Sequence, residues 1–160
     1  MSHSKQLTIF DVLKFSHEKQ RELSDKLIET TGNSEERKHY FSLLKNELFA
    51  HAVAEDRYFY IPLMMTDAGL NITRHALSEH HEIDELLEQL SEKELNNPSW
   101  LRIANQLRKL VHHHLDEEEH KFFQQSGKIL KDDEKLSLAK KYQLEYDKYI
   151  DKYKTSLVHQ

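Results

Sequence analysis

Twice in this sequence a line of apolar residues, stepping by three and four, is broken by a histidine and then, four residues on, by a glutamate. The first line is Phe41, Leu44, Leu48, His51, Glu55, Tyr58, Pro62. The second is Trp100, Ala104, Leu107, Val111, His114, Glu118, Phe122. Such steps keep side chains on one helix face, turned toward the interior of a bundle. A carboxylate in that position needs compensation, because burying it without a partner is expensive. Two His–Glu pairs on otherwise apolar seams therefore constrain the fold and its chemistry together.

The rest of the chain fits long helices. Only three Gly and two Pro occur in 160 residues, too few for a protein of strands and tight turns. Thr8 and Asp11 form a capping-box pattern opening a first helix over about 8–30, with Gly32 as its stop. A second helix covers about 34–64, with Pro62 near its end. After a Thr66–Asn71 connection containing Gly69, a third covers about 72–94. Asn97–Pro98 supplies an N-cap and a proline in the first turn of a fourth helix, about 98–125, closed by Ser126–Gly127. A shorter fifth helix over about 132–153 carries Leu136, Ala139, Tyr142, Tyr146, Tyr149 and Tyr153 on one stripe. Short connections favour antiparallel neighbours. The expectation is all-α: an up-down-up-down four-helix bundle with an additional C-terminal helix, one domain over residues 1–160.

Composition removes several classes of function. A formal charge of −5 offers no basic face for nucleic acid. The start MSHSKQLTIFDVLKF lacks the cationic end and apolar core of a signal peptide, and no later segment has the length and apolarity of a membrane span. The absence of cysteine rules out disulfides, thiolate metal sites and a cysteine nucleophile, and fits a reducing, cytoplasmic compartment.

Histidine is the outlier, with twelve residues. His80 lies on a third seam, Ala76, His80, Ile83, Leu87, Leu90, while His81 is rotated away by about 100°. His17 shares its helix side with Phe10, Leu13, Ser24 and Ile28. Counted from the connections, His17, His51, His80 and His114 agree in level to within a turn or two. Four inward histidines and two inward glutamates then converge on one layer. Imidazole nitrogen and carboxylate oxygen are both good metal ligands, and the i, i+4 spacing puts each His–Glu pair on one face. The metal-ligand candidates are His17, His51, Glu55, His80, His114 and Glu118. A rival spacing, Glu36-x-x-His39 with Glu117-x-x-His120, matches ferritin-like di-iron pairs. Its two halves fall at opposite ends of parallel helices and off the seams. His113 with Glu117 makes a further i, i+4 pair, expected at the rim.

Taken in order, His17, His51-x-x-x-Glu55 with Ile61–Pro62, Glu79–His80, and His114-x-x-x-Glu118–Glu119 with Phe122–Phe123 resemble the hemerythrin-like (HHE cation-binding) family. The resemblance covers essentially the whole chain. It implies two iron ions bridged by carboxylates and by oxo or hydroxo groups, with a site for dioxygen or a related small ligand such as peroxide or nitric oxide. By position, Glu55 and Glu118 would bridge, and His17, His51, His80 and His114 would be terminal ligands. Oxygen-carrying hemerythrins use a fifth histidine and an aspartate at a longer spacing, both lacking here. His75, His81, Glu47 and Asp84 are the candidates for a seventh ligand. Three functions follow: binding or sensing of a small ligand, which is favoured; a di-iron redox or iron-donating repair protein, with Tyr58 read first as a core tyrosine and second as an electron source; or a structural metal site. No catalytic residue is assigned.

Overall fold

The computed structural model describes residues 6–158, with side chains as far as residue 152; the side chain of Tyr153 lies outside the described residues. Every element among them is helical. Helix α1 is Ile9–Ile28. Helix α2 is Glu35–Glu55, prolonged by a π-helical turn Asp56–Tyr60 and a last α turn Ile61–Met64. Helix α3 is Asp67–Glu92. Helix α4 is Pro98–Glu117, prolonged by a second π turn, Glu118–Phe122, and by Phe123–Ile129. Helix α5 is Asp132–Val158.

The caps explain most of these boundaries. The Asp11 N–H donates to Thr8 Oγ1 at 3.3 Å while Asp11 Oδ2 accepts from the Thr8 N–H at 3.0 Å, completing the box. Ser34 caps α2 by accepting from the Arg37 N–H at 3.1 Å, and Gly32 supplies the positive φ (51°) in the turn between α1 and α2. Asn97 caps α4 through the Ser99 N–H at 2.9 Å.

Two glycines depart from the sequence reading. Helix α3 starts at Asp67 and not near residue 72, because Thr66 is its N-cap and accepts from the Gly69 N–H at 3.0 Å. Gly69 is there for closeness of approach: a Cβ would lie 2.2 Å from the Leu63 carbonyl oxygen. Gly127 does not close α4. It sits inside the helix, which ends when Leu130 turns extended (ψ 139°).

Helix α1 packs against α2 and α4, α3 packs against α4, and α5 lies along α1 and α2. The buried apolar residues form two clusters. One joins Ile9 and Leu13 to Phe59, Leu63, Ala76, Phe122, Phe123 and Tyr142. The other joins Leu27, Leu44, Leu87, Leu90, Trp100 and Leu107. Between them the seams of α2, α3 and α4 carry their buried histidines and glutamates. Both clusters keep that layer out of water, which strengthens every charge interaction inside it.

The two π turns change the register. In each, an N–H bonds five residues back: Ile61 to the Asp56 carbonyl, and Phe123 to that of Glu118. The first follows Glu55 directly and the second begins at Glu118. On α2 the widened turn rotates the next residues, so Tyr58 and Pro62 are only half-buried while Phe59, Tyr60 and Leu63 are fully buried. The seam expected to continue through Tyr58 is therefore corrected to Phe59 and Tyr60. π turns inside α-helices are frequent at functional sites.

Candidate metal centre

Each seam delivers its polar residues inward. His17 and Glu118 are buried completely, as is Glu55, and His51, His80 and His114 are buried almost so. All six sequence-derived candidates meet in one layer.

Their donor atoms fall into two sets that share both carboxylates. One set is His17, His51, Glu55 and Glu118; the other is His80, His114, Glu55 and Glu118. In the first, His51 Nε2 is 3.2 Å from Glu55 Oε2 and His17 Nε2 is 3.0 Å from Glu118 Oε1. In the second, His80 Nε2 is 3.1 Å from Glu55 Oε1 and His114 Nε2 is 3.3 Å from Glu118 Oε2. Each carboxylate thus turns one oxygen to each pair of imidazoles. Donors bonded at about 2.1 Å to a common ion lie roughly 3.0–3.4 Å apart, which matches these separations.

The hydrogen-bond inventory gives an independent test of fit. His17 Nε2, His51 Nε2, both Glu55 oxygens and Glu118 Oε1 are buried without a hydrogen-bond partner. His80 Nε2 and His114 Nε2 face each other at 3.2 Å. Buried polar atoms are normally satisfied, and a cluster of exceptions needs an explanation. Metal ions between the two imidazole pairs and the two carboxylates provide one, and the donor set fits them.

The opposite ring nitrogens are all held. His17 Nδ1 is 2.7 Å from Glu119 Oε2, His80 Nδ1 is 3.0 Å from Asp56 Oδ1, and His114 Nδ1 is 2.9 Å from Glu79 Oε1. His51 Nδ1 is 2.8 Å from the Tyr142 hydroxyl. With Nδ1–H donated outward, the Nε2 lone pair of every imidazole is aimed inward, the arrangement that orients metal-binding histidines. The Tyr60 hydroxyl, fully buried, donates to Glu118 Oε2.

Electrostatics bind the layer together. Burial lowers the proton affinity of the His17 imidazole, and the carboxylates of Glu118, Glu119 and Glu55 more than reverse this, leaving it well above the usual range. His80 is likewise raised against its burial, by Asp56 and Glu55. For His114 burial is outweighed by Glu118 and Glu79, which lift it to about 9. Burial would raise the Glu55 carboxyl, but the charge of His51 and the close approach of Glu118 and His17 hold it well below the usual range. Tyr60 is pushed well up by burial and by Glu118.

The other candidates separate cleanly. Glu36, His39 and His120 are exposed, so the ferritin-like spacing assembles nothing. Among the seventh-ligand candidates, His81 is 74% exposed and pairs with Glu85, and Asp84 is exposed. Glu47 is buried but engaged by Ser16 Oγ at 2.6 Å and the Tyr146 hydroxyl at 2.5 Å. His75 lies outside the layer, on Glu117. Tyr60, Tyr142 and Asp56 were missed. Tyr60 depends on the π turn, Asp56 lies beside Glu55 off the seam, and Tyr142 comes from a helix outside the four seams.

The profile of the hemerythrin HHE cation-binding domain matches residues 8–126. The chain belongs to this family. Among solved structures it is similar to a hemerythrin HHE cation-binding domain-containing protein from Mycobacterium kansasii, an Rv2633c homolog. The TM-score is 0.82 at 26% identity, over 95% of this chain and 91% of that one. No curated protein sequence matches it. The hemerythrin HHE domain described here is thus a helical cation-binding protein with buried His/Glu clusters suited to iron. No helix among the described residues is long and apolar enough to cross a membrane.

Proposed function

We propose that this chain holds two iron ions in a single up-down-up-down domain and binds or senses dioxygen or a related small ligand at them, in the cytoplasm. Glu55 and Glu118 bridge the ions, His17 and His51 complete one half, and His80 and His114 the other. The observation that carries the reading is the pair of four-donor sets sharing both carboxylates. Four donors to each ion leave positions open in an octahedral shell, and iron there supplies reversible ligand binding or electron transfer. A narrow crevice lined by His51, His80 and His114 with Leu48 and Ile83 opens beside the layer.

What the chain itself contributes is orientation and exclusion. The Nδ1 bonds hold the imidazoles in one tautomer, and the apolar clusters keep bulk water out. Metal analysis and an optical spectrum of protein from iron-replete cells test this. About two irons per chain are expected, with a nearly colourless reduced form that turns yellow to orange in air and shifts on addition of azide. Protein that contains iron but ignores both air and azide would leave a structural metal site as the better reading.

A further inference from the structure

Outside the central layer, α3 and α4 repeat its pattern. His75-x-x-x-Glu79 and His113-x-x-x-Glu117 are two more i, i+4 pairs, and the helix packing sets them face to face at the rim. His75 Nε2 lies 2.5 Å from Glu117 Oε1 and 3.5 Å from Glu79 Oε1. His113 Nε2 lies 3.5 Å from Glu117 Oε2 and 3.8 Å from Glu79 Oε2. Donor atoms of His75, Glu79 and Glu117 all fall within 4.8 Å of one another.

Ordinary surface pairing does not account for this cluster. Glu79 and Glu117 are largely buried, at 9% and 21% side-chain exposure. Yet neither is paired with a lysine or arginine among the described residues: imidazoles alone surround them. Glu79 Oε1 already accepts from His114 Nδ1, whereas Oε2 has only the distant His113 ring before it. His81 with Glu85 shows the alternative, a lone pair on one helix with both side chains exposed and nothing opposite.

We propose that His75, Glu79, His113 and Glu117 form a separate, solvent-facing site for one divalent transition-metal ion. Two imidazoles and two carboxylates are a donor set for zinc, iron, cobalt or manganese. The half-exposed histidines can close on an ion from solvent, while Glu79 ties the site to the outer side of His114. The site is distinct from the central layer: it shares no donor atom with either central set and takes all four of its residues from α3 and α4.

The test uses iron-loaded, air-oxidised protein dialysed against graded Co2+, with both metals counted by elemental analysis. Wild type should take up one Co2+ per chain beyond its iron, saturably. The His75→Ala/His113→Ala variant should need about tenfold or more Co2+ for the same uptake, since loss of even an outer partner costs metal affinity on that scale. Its iron content should stay unchanged, and His81→Ala should bind Co2+ like wild type. Equal uptake by wild type and the double variant would overturn the proposal. So would the absence of saturable Co2+ in wild type, or loss of central iron from the double variant. If the central layer held no iron at all, the cobalt difference between wild type and double variant would still decide the question.

Discussion

Metal binding to the central layer should expel more than one proton at neutral pH, and counting the protons tests its electrostatics directly. Four imidazoles with the ordinary pKa near ~6.5 would each be about one-quarter protonated at pH 7, so filling them would release about one proton in all. Here His17 and His80 are held well above that range and His114 is at about 9. At pH 7 His114 is almost fully protonated in the metal-free chain and the carboxylates favour the protonated forms of His17 and His80, so binding releases more than the one proton expected of ordinary imidazoles. For His114 alone, the gap of about two pH units costs about 3 kcal/mol of metal affinity at pH 7. Glu55, held well below its usual range, is already ionised and adds no proton.

Titration calorimetry of the metal-free protein with Zn2+, in buffers of different ionisation enthalpy, measures the number released. The expected value is clearly above one, and apparent affinity should climb steeply between pH 6 and 8. The metal-free fold should show the opposite trend. A group raised on folding stabilises the native state fully below its unfolded pKa, near ~6.5, and that stability is lost as pH rises through the folded value, about 9 for His114. A release near one proton, with metal-free stability flat over this window, would refute the claim that the carboxylates lift these imidazoles.

Other outcomes follow from single contacts. Tyr60→Phe removes the donor to Glu118 Oε2 and should lower metal-free stability by about 1.5–3 kcal/mol, as for a hydrogen bond to a charged group, measured by urea denaturation. Glu55→Ala or Glu118→Ala should reduce the metal count found by elemental analysis, whereas His39→Ala and His120→Ala, both exposed, should leave it unchanged. Arg37 is buried, donating to Thr30 Oγ1 at 2.9 Å, the Thr30 carbonyl at 2.6 Å and the Leu95 carbonyl at 2.6 Å, with its guanidinium over Trp100. Arg37→Ala should therefore cost about 2–4 kcal/mol in denaturation while metal content per folded chain stays the same.

The seams were legible because a 3.6-residue period leaves the same trace wherever one helix face is buried. Thus Leu44, Leu48, His51 and Glu55, and the line Trp100, Ala104, Leu107, Val111, His114, Glu118 and Phe122, point inward as their spacing requires. The failure begins one residue past Glu55, where a π turn widens the helix. No local residue choice announces that turn, so Tyr58 was placed where Tyr60 belongs. Gly69 misled for a related reason: a glycine needed for a close backbone approach looks in sequence like a glycine needed for a turn. Tyr142 was unreadable in a different way. Its stripe on α5 was visible, but which layer of the bundle that stripe meets depends on long-range packing of α5 along α1 and α2.

These outer residues also make the two halves of the proposed centre unequal. His80 and His114 each give their Nδ1–H to a carboxylate, Asp56 and Glu79. Of the other pair, His51 gives its hydrogen to a neutral phenol, Tyr142, and the carboxylate behind His17, Glu119, is shared with Arg21 at 3.0 Å. That sharing matters, since burial alone would raise Glu119 and the two cations His17 and Arg21 bring it to about 2. A carboxylate behind an imidazole raises its basicity as a ligand more than a phenol does, and more than a carboxylate already neutralised by a guanidinium. The His80/His114 half is therefore the more electron-rich, offset in part by Tyr60, which donates to the Glu118 oxygen on that side. Two ions held in the proposed centre would thus sit in different fields. The inequality arises in residues outside the ligand set: the acids just past Glu55 and Glu118, and a helix beyond the four that supply the ligands.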